Sequence, residues 1–409
     1  MSEISPSHSA MGVTVQSANE FNFLCALAGA NLSRERSQTI GNWNLSAVDW
    51  SEFIRLAEHH GVLPLATRNL IEHGQGLSAE ITSSLRASYE ANLRRNLWFS
   101  AELARVARHL ERRQVQTAPY KGPVLAETVY RDMGLRSYSD LDFLVAPAEF
   151  LRAKEALTEL GYAPSSDQSE AVERFWLRVG YERSFDFGAG DSGAGDRGGG
   201  KNLVELQWAV LPYFYAVDLR VEDLLDRRHR TVIAGSEVSC LSPEDLVLVL
   251  CVHAAKHLWT RLIWLADVAE TVRMENLDWP LVRSRARKLG IARILGVSFW
   301  LVKDVLSAEL PAVAEEMVAS DPRTDMLGKT FAERLERAVP YDFESTEYFR
   351  WIRKLRERRS DRWRYLWRLV WTPGVGDLEA VQLPEKFFPL YRIVRSGRLM
   401  RKLLMRAGG

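Results

Sequence analysis

Two carboxylates one residue apart, Asp140-Leu141-Asp142, head a short apolar run that ends at Val145. Upstream stand Lys121-Gly122-Pro123, Arg136 and Ser139, and downstream Glu205 sits in the segment VELQW. Residues i and i+2 of a strand point to the same face, so Asp140 and Asp142 project side by side while Leu141 and Phe143 turn toward a core. Adjacent carboxylates repel, and a cation between them relieves the repulsion. Oxygen-only ligands suit Mg²⁺ or Mn²⁺ better than zinc. Glu205, on a second alternating strand, would bring a third carboxylate to the same place. Three acidic oxygens around one or two hard cations are the equipment of in-line phosphoryl chemistry. A helix starting at Gly122–Pro123 would turn free backbone N–H groups toward a phosphate, with the Lys121 charge beside them.

A second constellation follows Ser242-Pro243-Glu244-Asp245, a capping signature with proline at the first helical position. His253, His257, Trp264 and Asp267 recur at steps of four, seven and three, one helical face bordered by Lys256. A histidine pair at i, i+4 can bind zinc, but the glutamate of HExxH is missing, since position 254 is Ala254. Two readings stay open: a polar cluster between helices, or a general base whose ordinary pKa lies near working pH.

These residues need elements to position them. VQTAPY (115–120), DLDFLV (140–145), residues 183–187 and residues 202–208 read as strands, with a helix over 147–160 between the second and third. VDWSEFIRLAEHHG and a long run over 79–113 with Leu85, Tyr89, Leu93, Leu97, Leu103 and Leu110 read as helices. The expected organisation is a tail over 1–19, a helical region over 20–113, an α/β core over 114–238, a helical region over 239–320 closing the cleft, and a basic helical region over 321–409. The fold class is α+β, a small mixed β-sheet set between helical regions. Residues 188–201, GAGDSGAGDRGGGK, lack apolar surface and the GxxxxGK[ST] pattern, so they read as a solvated insertion.

Composition excludes other classes. At 409 residues with 46% hydrophobic and 26% charged, the chain is neither disordered nor fibrous. No apolar run reaches the roughly 18–20 residues of a membrane span, and the first residues lack a signal-peptide pattern, so the expected location is cytoplasmic. Cys25, Cys240 and Cys251 lie far apart and read as buried thiols. The net charge of +1 hides an asymmetry: residues 351–409 hold fifteen Lys/Arg against five Asp/Glu. Arginines interleaved with Trp363, Tyr365, Trp367 and Trp371 are the vocabulary of nucleic-acid and interfacial binding. Trp363, Trp367 and Val370 share one face, and the simpler expectation is that this face packs on the acidic body.

The run YKGPVLAETVYRDMGLRSYSDLDFLV resembles the uncharacterised nucleotidyltransferase family, a branch of the polymerase-beta-like nucleotidyltransferase superfamily. The likeness continues through VDWSEFIRLAEHHGVLPL, VELQW, LSPEDLVLVLCVHAAKHLWTRLIWLADVA and the C-terminal LYRIVRSGRL. It implies metal-dependent transfer of a nucleoside monophosphate from an NTP, with ATP the first choice, to an unknown hydroxyl-type acceptor on a small molecule, sugar, peptide or protein, releasing pyrophosphate. Under the resemblance Asp140, Asp142 and Glu205 hold Mg²⁺ or Mn²⁺. Lys121, Gly122, Arg136, Ser139, Lys256 and His257 serve the nucleotide, with His253 and Asp267 in support. The chain departs from the pattern in three places. Pro123 replaces the serine of the superfamily's Gly-Ser turn, Glu205 replaces the more usual aspartate, and Gln207 stands where the family carries histidine. Those departures motivate one alternative, a catalytically weak nucleotide-binding or scaffolding module of the same fold, and the basic C-terminal region motivates another, a nucleic-acid binder.

Overall fold

The computed structural model describes residues 15–166, 169–188 and 203–407. The proposed tail therefore lies outside the described residues up to position 14, and helix Val15–Leu27 begins inside its expected span. The glycine-rich insertion lies outside them from position 189 onward.

Five strands form one sheet: β1 (Thr117–Pro119), β2 (Leu141–Val145), β3 (Tyr162–Pro164), β4 (Glu182–Phe187) and β5 (Val204–Gln207). Their order is β1-β2-β5-β4-β3, with β2 and β5 parallel and the other pairs antiparallel, a mixed sheet flanked by helices. Two further strands absent from the sequence reading, β6 (His229–Ile233) and β7 (Ser236–Cys240), make a separate hairpin. The sheet is built on alternation. Leu141, Phe143, Phe185, Val204 and Leu206 turn to one face and bury against helices Phe150–Glu159 and Ala79–Arg112. Each fully buried side chain such as Phe143 or Phe185 contributes about 1.5–3 kcal/mol. The other face carries Asp142, Glu205, Gln207 and Glu182, and it looks toward the end of helix Pro243–Lys256. That helix is capped by the Ser242 hydroxyl, which accepts from the Asp245 N–H.

Helix Ala79–Arg112 runs nearly as its leucine spacing predicts, but its middle buries amides instead of Leu97, which is 47% exposed. Asn92 donates to the Gly134 carbonyl, and Asn96 donates to those of Met133 and Arg136. These bonds pin the turn that delivers the chain into Asp140. From the other side comes Gly122, at φ +51 and ψ −122, a region closed to other residues. A Cβ there would stand 3.3 Å from the Asp140 carbonyl oxygen. Gly122→Ala is therefore expected to cost about 1–3 kcal/mol in urea unfolding.

The C-terminal region corrects one expectation. Helix Arg359–Trp371 buries Asp361, Tyr365 and Leu369, while Trp363 (74% exposed), Trp367 (66%) and Val370 face solvent. The buried face packs Tyr365 and Leu369 and pairs Asp361 with Arg356, and Arg364 and Arg368 reach the exposed Asp218 alongside it. All three cysteines are buried and free. Among the described residues, no helix is long and apolar enough to cross a membrane.

Candidate functional site

The parallel register of β2 and β5 sets Asp142 directly beside Glu205. On the far side of β5, the antiparallel register sets Glu182 of β4 opposite Gln207. The Gln207 side chain joins them, its Nε2 donating to Asp142 Oδ1 at 2.8 Å, Glu205 Oε2 at 3.1 Å and Glu182 Oε2 at 3.4 Å. Its Oε1 accepts from the Tyr120 hydroxyl at 2.6 Å, which fixes the amide's orientation. Asp140, half-buried at the head of β2, completes an acidic group of four. Glu182 is the member the sequence reading missed.

The electrostatics record the crowding. Burial, then Asp142, push the Asp140 carboxyl up to about 6. Burial, then Asp142 and Glu182, push Glu205 up to about 8. Only partial compensation comes from Lys121, whose Nζ lies 3.0 Å from Asp142 Oδ1. Burial would lower the Lys121 pKa, yet Asp142 and its neighbours carry it well above the usual lysine value.

A cationic and aromatic wall faces these acids. Lys256 is 5% exposed, and its Nζ lies 4.5 Å from the centre of the Tyr181 ring. Burial lowers its pKa against the opposing pull of Glu182, while Lys121 adds to the fall. His257 stacks on Trp264 at 4.7 Å and shares a 2.5 Å hydrogen bond between its Nδ1 and the Tyr341 hydroxyl. His253 meets the edge of the same tryptophan. Burial and the nearby lysines hold both imidazoles well below the ordinary histidine range, so they are neutral. The His253–His257–Trp264 face is thus an interhelical stack, and positive charge at this end comes from the two lysines.

Two of the expected nucleotide-binding elements are engaged in contacts within the protein. Arg136 is buried, with Nε and Nη2 each 2.9 Å from the Asp267 carboxylate. Asp267 also accepts from the Tyr130 hydroxyl at 2.9 Å. Arg136 and Asp267 clamp the core to helix Leu262–Thr271. The short helix Pro123–Thr128 offers little as a cradle, because Pro123 has no N–H and Val124 N–H is bonded to the Lys121 carbonyl. Ser139 is exposed beside Asp140.

Among the described residues, no three His, Cys, Asp or Glu groups already stand as a cage for a metal ion. Lys121 and Gln207 both occupy Asp142 Oδ1. The donor chemistry nevertheless fits a hard divalent ion: the donors are all oxygen, and two carboxyls are raised by burial and by their neighbours' charge. The raised Glu205 pKa also fixes a sign. Its folded value of about 8 exceeds the ordinary glutamate value of 4.5, so the associated stability is present at low pH and lost as pH rises through 8. Glu205→Gln is expected to be more stable than wild type at about pH 8.5 by on the order of 2–4 kcal/mol, with little difference near pH 4.5, in metal-free urea titrations.

A family model described as an uncharacterised nucleotidyltransferase matches residues 46–307. No curated protein and no solved structure matches the chain.

Proposed function

The chain belongs to the uncharacterised nucleotidyltransferase family, and from that premise we propose that it transfers a nucleoside monophosphate from an NTP to a hydroxyl-type acceptor at the Asp140–Asp142–Glu205 centre. The acceptor oxygen bonds to the α-phosphorus, the bond from that phosphorus to the leaving phosphate oxygen breaks, pyrophosphate departs, and the hydroxyl proton passes to water. The observation that carries the reading is the β2–β5 register, which lays Asp142 beside Glu205 within a group of four carboxyls. Asp140, Asp142 and Glu205 would hold Mg²⁺ or Mn²⁺, which supplies charge neutralisation for the triphosphate when bound. Lys121 is placed to pass from Asp142 to a phosphate oxygen, and Lys256 to support it from the opposite wall. Gln207, held by Tyr120, keeps the carboxylates in register. ATP is the proposed donor.

The test is incubation of the full chain with labelled ATP and Mg²⁺ against panels of hydroxyl-bearing small molecules, sugars and peptides. Labelled product with stoichiometric pyrophosphate supports the reading, and neither product nor pyrophosphate across the panels contradicts it. A second reading, a nucleotide-binding module with weak chemistry, is favoured by the poorly furnished turn at Pro123 and by Lys121 seated on Asp142. Calorimetric binding of ATP without turnover would select it.

A further inference from the structure

We propose that a cavity of about 640 Å³ between helix Glu170–Val179 and the C-terminal basic region is the acceptor site, built for an organic anion that carries an aromatic ring. The proposal rests on the nucleotidyltransferase reading for the word acceptor, and on the cavity alone for the ligand's chemistry. The volume falls within the roughly 300–1,000 Å³ of small-molecule sites. Its walls come from four separated stretches of chain, represented by Arg178, by Tyr213, by Trp371, and by Lys386 and Arg392.

Charge specifies the ligand first. Arg178, Lys386 and Arg392 line the cavity, and among the described residues none of them has a carboxylate within ion-pair distance. The single acidic lining residue, Glu385, is drawn to Arg174 at 3.6 Å. Three unneutralised cations around one hollow favour an anion, and arginine favours a planar carboxylate or phosphate. The rings specify the rest. Tyr213 is 50% exposed and Trp371 41% exposed, so both keep surface available to a ligand, while Phe388 is buried beneath and packs against Phe175. Arg368 lies 4.1 Å from the centre of the Tyr213 ring and holds it in place. An apolar floor bordered by partly exposed aromatic rings recognises a flat ring.

Position ties the cavity to the acidic centre. Val179 lines it, and the chain runs from there through Gly180 and Tyr181 into Glu182, three residues that span about 10 Å when extended. On the other wall, Tyr213 stands two residues before Tyr215, whose hydroxyl reaches the Lys256 carbonyl. A ring-bearing anion seated here could extend a hydroxyl past Tyr181 toward the α-phosphate. There the new oxygen–phosphorus bond forms as pyrophosphate leaves and the hydroxyl proton goes to water.

The probe is 1-naphthyl phosphate, titrated calorimetrically into the full chain without metal or nucleotide, with 1-naphthol and inorganic phosphate as partial probes. Binding at least about tenfold tighter than either partial probe is expected, together with a loss of at least about tenfold in the Arg178→Glu/Arg392→Glu variant. Asp142→Asn should leave it unchanged. Equal affinity for naphthol, indifference to the charge reversal, or loss in Asp142→Asn would each overturn the cavity assignment. Trp371→Ala offers a second variant that leaves charge intact, with the same weakening expected. Where transfer is measurable, the charge reversal should raise the acceptor KM and spare kcat for a ring-bearing anionic acceptor; an unchanged KM would overturn the acceptor role. Absence of transfer in the wild type would instead count against the parent reading, while the naphthyl phosphate titration still decides the cavity.

Discussion

Asp142→Asn is expected to lower nucleotidyl transfer at least about 1,000-fold, equivalent to ~4 kcal/mol of transition-state stabilisation. The aspartate is the point where the site's forces meet: Glu205 lies beside it across β2 and β5, Lys121 pairs with it, and Gln207 donates to it. Asparagine keeps the size and one oxygen able to accept from Lys121 and Gln207, so the fold is retained. What it removes is the negative charge that a divalent ion and the triphosphate chemistry require. Pyrophosphate release followed beside urea unfolding separates the two effects. A variant that folds like wild type and retains more than about a tenth of its rate would contradict the assignment of Asp142.

The second large effect is on stability. Asp267→Ala is expected to cost about 3–5 kcal/mol, because it strands a buried charge instead of removing a pair. Arg136 and Asp267 expose only 7% and 2% of their side chains, and the Tyr130 hydroxyl loses its acceptor in the same step. Tyr130→Phe removes the hydroxyl alone and should cost about 1 kcal/mol. Urea midpoints give the comparison, and a loss below about 1 kcal/mol for Asp267→Ala would contradict the clamp. The clamp also joins the turn before Asp140 to helix Leu262–Thr271, so transfer should slow as the pair is broken.

The sequence made the acidic strand legible because its code is local. Alternation over 140–145 and the Ser242-Pro243 cap define β2 and helix Pro243–Lys256 without reference to distant residues. Glu182 was hidden because its relevance lies in the pairing of β4 with β5, a register that the intervening chain conceals. Gln207 drew notice only as a departure from a family pattern, whereas its work is to bridge three carboxylates. Arg136 reads from sequence equally well as an anion ligand or as a buried clamp, and its pairing with Asp267, 131 positions away, is not visible in local spacing. The helix Arg359–Trp371 carries apolar residues on two stripes, so periodicity cannot choose which one is buried. The buried stripe is the one that carries Asp361, paired with the buried Arg356 from outside the helix. The hairpin of β6 and β7 was missed because HRTVI and SEVSC are short and mostly polar, with Ile233, Val238 and Cys240 supplying the buried contacts.

The most direct measurement is an electron paramagnetic resonance titration of Mn²⁺ into the full chain with a non-hydrolysable ATP analogue. Wild type is predicted to bind the ion with the analogue present, Asp142→Asn to lose that binding, and Glu205→Gln to weaken it. Mn²⁺ bound equally by wild type and by both variants would show that these carboxylates do not hold the ion, and the proposed centre would fall.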